Sequence, residues 1–222
     1  MTVTPFYAIL LYNMEIIPNF AVFEGCDGSG TTTQLSILKE RLKNYKKPLF
    51  FPTFEPTEGK IGKIIRATLK KEIILEPQTL AMLFAADRNE HLYGAHGILA
   101  HVKKGNLVVS DRYVISSLVY QGIECGDELP RFLNSRFGVP ELTLFFDLDP
   151  KTALERTKKR NSKEIYDYVE FQEKVRGKYK SLLGLYAGTG AKAVTIDASK
   201  SVQEVSDQVW SIVSSMPIFN TQ

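Results

Sequence analysis

Apolar positions along this chain keep two rhythms. Short continuous apolar runs occur at Phe20–Phe23, Leu49–Phe51, Leu107–Ser110, Leu142–Phe146 and Ala193–Ile196. Runs of that length, apolar on both faces, read as buried strands. Between them the apolar residues recur every three or four positions, as at Leu35, Leu38 and Leu42. Segments 60–71, 78–103, 150–160, 167–186 and 201–214 read as helices on the same ground. Strands alternating with helices predict an α/β fold of three layers, a five-stranded parallel sheet covered on both faces. Ligands of such sheets lie at the carboxyl ends of strands. A glycine-rich stretch at 25–30 and Asp111 both fall at such ends.

Neither an internal repeat nor a low-complexity linker interrupts the chain, so residues 14–222 read as a single domain. Residues 1–13 read as an extension ahead of it. Their apolar run, Ala8–Tyr12, is far shorter than the ~20 residues a membrane-spanning helix requires. They also lack the basic start and the cleavage site of a signal peptide. No membrane association is expected.

Charge narrows the class further. A formal net charge of +3 is too small for a nucleic-acid-binding surface. It suits a protein whose cations gather at one anionic ligand. The two cysteines, Cys26 and Cys125, show neither pairing nor metal spacing. They point to a reducing compartment, expected to be the cytoplasm. His91, His96 and His101 lie five apart, so successive ones fall on different helix faces and make a poor metal site.

The stretch from Gly25 to Thr33 nearly matches the phosphate-loop pattern G-x-x-x-x-G-K-[ST]. Gly25 and Gly30 have the required spacing. Backbone amides through Asp27, Gly28 and Ser29, with the start of the next helix at Thr31, Thr32 and Thr33, would converge on phosphate oxygens. Thr32 stands where a hydroxyl reaches Mg²⁺. The lysine position, however, holds Thr31. On this motif alone, a strand-to-helix turn without a ligand remains open.

Other segments carry more. Asp111-Arg112-Tyr113 runs on to Ser117, Tyr120 and Gln121; Phe54-Glu55-Pro56-Thr57 precedes it, as does Leu83-Phe84-Ala85-Ala86-Asp87-Arg88; Ile196-Asp197-Ala198-Ser199 comes late. In this order and at these spacings, with Asp27 and Gln34 of the loop, residues 19–213 resemble the thymidylate kinases, nucleoside-monophosphate kinases built on a phosphate-loop fold. The resemblance implies transfer of a phosphoryl group from ATP to dTMP, with Mg²⁺ accompanying ATP, and a homodimer.

It also implies roles by position. Asp27 would hold the 3′-hydroxyl of dTMP. Phe84 would stack on thymine, Arg88 would bond its edge, and Ser117 and Gln121 would complete base recognition. Tyr120 would lie against the sugar. Arg66 and Arg112 would clamp the acceptor phosphate, with Glu55 close to the reacting phosphates. Asp111 would meet Mg²⁺ through water, and Ala198 and Ser199 would border adenine. A lid at about 156–168 carries Arg156, Lys158, Lys159, Arg160 and Lys163. Arg156 and Arg160 share a helix face and would act as its catalytic cations.

The chemistry agrees, because phosphoryl transfer is mainly positioning plus charge stabilisation. Read without the resemblance, Phe84 could be core, Arg88 a solvated helix charge, and Arg112 a partner of Asp87 or Asp127. Two residues depart from the family pattern. Thr31 replaces the loop lysine, and Phe54 replaces an arginine before Glu55-Pro56.

Overall fold

The computed structural model describes residues 15–45, 48–158, 169–186 and 189–220. The extension at 1–13 and most of the expected lid, with Lys159, Arg160 and Lys163, lie outside the described residues. The five expected strands form β1 (Ile16–Gly25), β2 (Phe50–Phe54), β3 (Leu107–Asp111), β4 (Val139–Asp147) and β5 (Lys192–Asp197). They make one parallel sheet in the order β2-β3-β1-β4-β5. β1, β3 and β4 are paired on both edges and are almost wholly buried, which is why they read as unbroken apolar runs. β1 is longer than its apolar run. Its register shifts between Ile17 and Ala21, where Asn19 takes a positive φ of 58° and donates its N–H to Glu141 Oε2 (2.7 Å). That irregularity breaks the apolar rhythm and hides the first half of the strand.

Helices cover both faces. One face holds α1 (Thr31–Leu42) and, from later in the chain, the helices at Pro150–Lys158 and Val202–Val213. Leu35, Leu38 and Leu42 of α1 are buried there, at the spacing the sequence shows. The other face holds α2 (Lys60–Leu69), α3 (Pro77–Tyr93), α4 (Ile98–Lys103), α5 (Val114–Cys125) and α6 (Glu128–Asn134). Pro150–Lys158 is α7, Val169–Tyr186 is α8, packed on the α5 face, and Val202–Val213 is α9. A short 3₁₀ turn follows at Pro217–Phe219. Ser201 and Glu204 start α9 with a capping box, each side chain bonding the other's backbone N–H.

The structure corrects the helix reading in two places. The single helix expected over 78–103 is two, broken between Tyr93 and Ile98. Gly94 leaves helical geometry at the end of α3, and Gly97 turns back so closely that a Cβ there would lie 2.5 Å from the His91 carbonyl oxygen. The apolar rhythm continues across this break, and only the glycines mark it. The second correction is an addition. α5 and α6 lie between β3 and β4, where the sequence gives no helical period. Every residue of α5 from Val114 to Gly122 is buried, so it has no polar face to set a rhythm. α6 is short and carries Pro130 in its first turn.

Candidate active site

β1 ends at Gly25 and the chain turns over Cys26–Gly30 into α1. Gly28 and Gly30 have φ of 85° and 97°, a left-handed geometry that glycine adopts without strain. Gly25 itself lies so close to Ser29 that an added Cβ would stand 2.4 Å from its Oγ. The turn therefore needs its glycines for its own shape. It opens onto a cleft of about 430 Å³ at the carboxyl ends of β1, β2 and β3.

The cleft brings together most of the residues singled out in the sequence. Asp27, Gly28, Gly30, Thr31 and Thr32 form the loop side. Glu55, Arg66, Phe84, Arg88, Asp111, Arg112, Ser117, Tyr120 and Gln121 form the rest. Gly25, Ser29, Thr33, Ala198, Ser199 and Arg156 are not among its walls. Arg156 reaches instead to the Ala198 carbonyl with Nη1 (3.2 Å), tying α7 to the turn after β5. Ser199 closes that turn on Asp197, donating both N–H (3.1 Å) and Oγ–H (2.6 Å) to Oδ1.

At the loop end, the Thr32 hydroxyl donates to Asp111 Oδ2 (2.6 Å). Asp111 is buried at the end of β3, yet its Oδ1 has no hydrogen-bond partner among the described residues. A hydroxyl beside an unspent carboxylate oxygen is a hard oxygen pair suited to Mg²⁺ or a water it carries. Among the described residues no group of three His, Cys, Asp or Glu gathers to hold a metal by itself. Thr31 is buried, and its side chain offers the cleft no charge.

Arg112 follows β3 in a left-handed backbone conformation, φ 73°, with its N–H donated to the Phe23 carbonyl (2.8 Å). A non-glycine residue held there is strained and must be fixed by its surroundings. Its guanidinium pairs with Asp27 and lies 5.1 Å from the Tyr120 ring centroid. The alternatives open in the sequence are closed: Asp87 accepts from Thr57 N–H and Oγ–H (2.7 Å each), and Asp127 pairs with Lys178 and Arg131.

The other end is built around Arg88, which is 1% exposed. Its Nε donates to Glu55 Oε2 (2.9 Å) and its Nη2 to Tyr113 O and Ser117 Oγ (3.0 Å each). Its Nη1 donates to Asn134 Oδ1. Phe84, one turn earlier on α3, shares the cleft wall. Arg88 is thus neither a solvated charge nor a loose one. Both Glu55 oxygens are engaged within the chain, Oε1 by His91 Nδ1 (3.0 Å). Sequence reasoning missed Asn134, His91 and Tyr113. Asn134 sits on the unpredicted α6, and nothing in its local sequence signals it.

Arg66, on α2, donates Nη2 to the Pro56 carbonyl and lies 5.3 Å from the Phe54 ring, while its Nε has no hydrogen-bond partner among the described residues. The departure at Phe54 therefore leaves an aromatic shelf under the neighbouring arginine. Cys26 is buried beneath the loop, and burial pushes its thiol up to about 11. Helix-end amides do not activate it, and it packs as a small apolar side chain. Glu24, just before the loop, is fully buried, and burial raises its carboxyl above the ordinary value. It accepts from Tyr113 N–H (3.0 Å), Ser116 Oγ (2.6 Å) and Tyr179 Oη (3.0 Å), joining β1 to α5 and α8.

The profile of the thymidylate kinase family matches residues 23–209, a span that includes the loop, the cleft and the turn after β5. The chain belongs to the thymidylate kinase family. Among its relatives is a protein of Treponema pallidum (strain Nichols), provisionally named thymidylate kinase, 41% identical over 201 residues, 88% of this chain and 95% of the relative. One of Pyrobaculum aerophilum, named in the same provisional way, is 37% identical over 87% of this chain and 95% of its own length. One of Methanococcus maripaludis (strain C6) is 39% identical over 87% and 94% respectively. Family membership makes this a nucleotide kinase. Among the described residues no helix is long and apolar enough to cross a membrane.

Proposed function

We propose that this protein transfers the γ-phosphoryl group of ATP to dTMP, giving dTDP and ADP. The observation that carries the proposal is that one cleft is lined by the phosphate loop, by Phe84 and Arg88, and by Arg66 and Arg112. A planar base fits between an aromatic face and a guanidinium edge, and a phosphate fits between arginines. An oxygen of the dTMP phosphate attacks the γ-phosphorus, and the bond to the β–γ bridging oxygen breaks. No protein nucleophile is required.

The chain's own groups divide the work. The loop amides hold the β- and γ-phosphates. Arg112, released from Asp27 when phosphate arrives, follows the charge in transit, and Asp27 turns to the sugar hydroxyl. Arg66 Nε, without a partner among the described residues, would meet the acceptor phosphate. Thr32 and Asp111 would hold Mg²⁺, which supplies charge neutralisation on the phosphates. Arg156 stands beside Ala198 and Ser199, the proposed adenine border. The exposed Ile64, Ile73, Ile74 and Met82 on α2, α3 and their connection support a homodimer through that side. The compartment we propose is the cytoplasm.

Thr31 supports a second reading, in which nucleotides bind but turnover is impaired. A coupled assay of ADP release across nucleoside monophosphates separates the two. dTMP is expected to be the best acceptor, dUMP weaker, and CMP, GMP and AMP poor. Equal rates with dTMP and AMP would overturn the acceptor assignment. Tight dTMP binding without turnover would favour the second reading.

A further inference from the structure

His91 lies three residues after Arg88 on α3 and is not a wall of the cleft. Its side chain is 8% exposed, and both ring nitrogens are used. Nδ1 is 3.0 Å from Glu55 Oε1, and Nε2 is 2.6 Å from Thr53 Oγ1. An ionised carboxylate only accepts, so Nδ1 carries a proton, while the Thr53 hydroxyl can serve Nε2 in either sense. The other oxygen, Glu55 Oε2, accepts from Arg88 Nε (2.9 Å) and lies 2.7 Å from Nη2 in the same ion pair. One carboxylate therefore bridges two residues a helical turn apart. Its backbone is already fixed, because Glu55 N–H donates to the Asp111 carbonyl (3.0 Å).

The consequence falls on Arg88. A guanidinium has five N–H donors in a rigid fork. Glu55, Asn134, Tyr113 and Ser117 take four, which leaves one Nη1 N–H without a partner among the described residues. A single free donor points only as well as the fork is held. Glu55 holds one edge of that fork, and His91 sets Glu55.

We propose that His91 is a positioning residue for acceptor recognition, donating from Nδ1 to Glu55 and through it aiming the free N–H of Arg88 at the base. This rests on the acceptor reading above. The sequence gives no sign of it, because the spacing of the three histidines speaks only against a metal. His101 does something unrelated, stacking on Phe51 at 3.5 Å between ring centroids.

Three substitutions in the full chain test it: His91→Ala, His91→Asn and His91→Gln. The Asn amide reaches the position of Nδ1, whereas the Gln amide reaches toward Nε2. Affinity for dTMP is read by calorimetry, and kcat and KM for dTMP and ATP by ADP release. His91→Ala is expected to weaken dTMP binding and raise its KM about 10-fold, as for a buried acceptor that loses its donor, with KM for ATP unchanged. His91→Asn restores most of the loss, and His91→Gln does not. If the Ala variant keeps wild-type affinity and KM for dTMP, or if Asn and Gln fall equally, the positioning role is wrong. If the wild type itself neither binds nor turns over dTMP, the acceptor reading fails and the inference with it. Wild-type activity with an indifferent Ala variant sinks only the inference.

Discussion

The two ends of the cleft are finished to different degrees. Around Arg88 nearly every polar group has a partner within the chain: Glu55, Asn134, Ser117, Tyr113 O and, behind Glu55, His91 and Thr53. Around the phosphate loop, Asp111 Oδ1, Ser29 Oγ and, further along, Arg66 Nε are buried without hydrogen-bond partners among the described residues. Asp27 and Arg112 pair with each other there. A buried unpaired polar atom costs about 1–3 kcal/mol. On the proposed function, that cost falls where a charged, cation-bearing ligand would relieve it and is avoided where a neutral base would be read. On that proposal the base end is preorganised and the phosphate end is completed by its substrates.

Charge makes the same contrast. Among the described residues the cleft walls carry Arg66, Arg88 and Arg112 against Asp27, Glu55, Glu58 and Asp111, and no lysine. Arg88 is spent on the base end and Arg112 is paired. With Thr31 in the lysine position, the loop itself supplies no side-chain cation.

The comparison breaks most visibly at Arg88. Arg88→Ala should lower kcat/KM for dTMP roughly 10²-fold or more, because a base edge and the buried Glu55 both lose their partner. The discriminating measurement is acceptor preference, which should flatten across dTMP, dUMP and CMP. Retained preference would mean that the finished end does not read the base.

At the unfinished end the expected effect is smaller and has the opposite sign. Thr31→Lys should raise kcat about 10-fold or more if nothing replaces the missing charge, recovering part of the ~10²–10³-fold that one preorganised contact contributes. An unchanged or lower kcat would show that Arg156 or Arg160 already fills the role. Neutralising those two together should then lower kcat several-fold while leaving dTMP affinity nearly intact, as for groups that act in the closed transition state. Wild-type kcat in that double variant would reduce the basic segment to a solvated surface.

Phe54→Ala sharpens the boundary between the ends. Losing the ring beneath Arg66 should raise KM for dTMP about 3-fold, in line with a partly exposed cation–π contact of ~0.5–1 kcal/mol. The smallest effect is on stability. Burial raises the Glu24 carboxyl above 4.5 in the folded state. Folding therefore favours its protonated form, and that contribution is lost as pH rises through the raised value. Relative to wild type, Glu24→Gln should gain in Tm as pH rises above about 4.5, the ordinary value. A pH-independent difference would contradict the buried-acid account.

The sequence made the phosphate end more legible than the base end. Glycine spacing, the strand before it and the helix after it are local signals, and they placed Gly25–Thr33 correctly at a strand end. Phe84 and Arg88 were visible as neighbours on one helix. The rest of the Arg88 network was not, because its members come from separate elements: Thr53 from β2, Tyr113 and Ser117 from beside and within α5, and Asn134 from α6. α5 is buried on all sides and α6 is short, so neither leaves a period to read. The break after Tyr93 was missed for a related reason. Hydrophobic rhythm reports burial, and the buried Leu92 and Ile98 keep that rhythm on either side of the exposed Tyr93, Ala95 and His96.

The central claim is that both ends serve one transfer reaction, and product identity tests it most directly. The full chain is incubated with MgATP and dTMP, and the nucleotides are separated and quantified. The account predicts dTDP and ADP appearing in equal amounts, with no ADP formed when dTMP is omitted. ADP without dTDP, or no product despite bound dTMP, would contradict it.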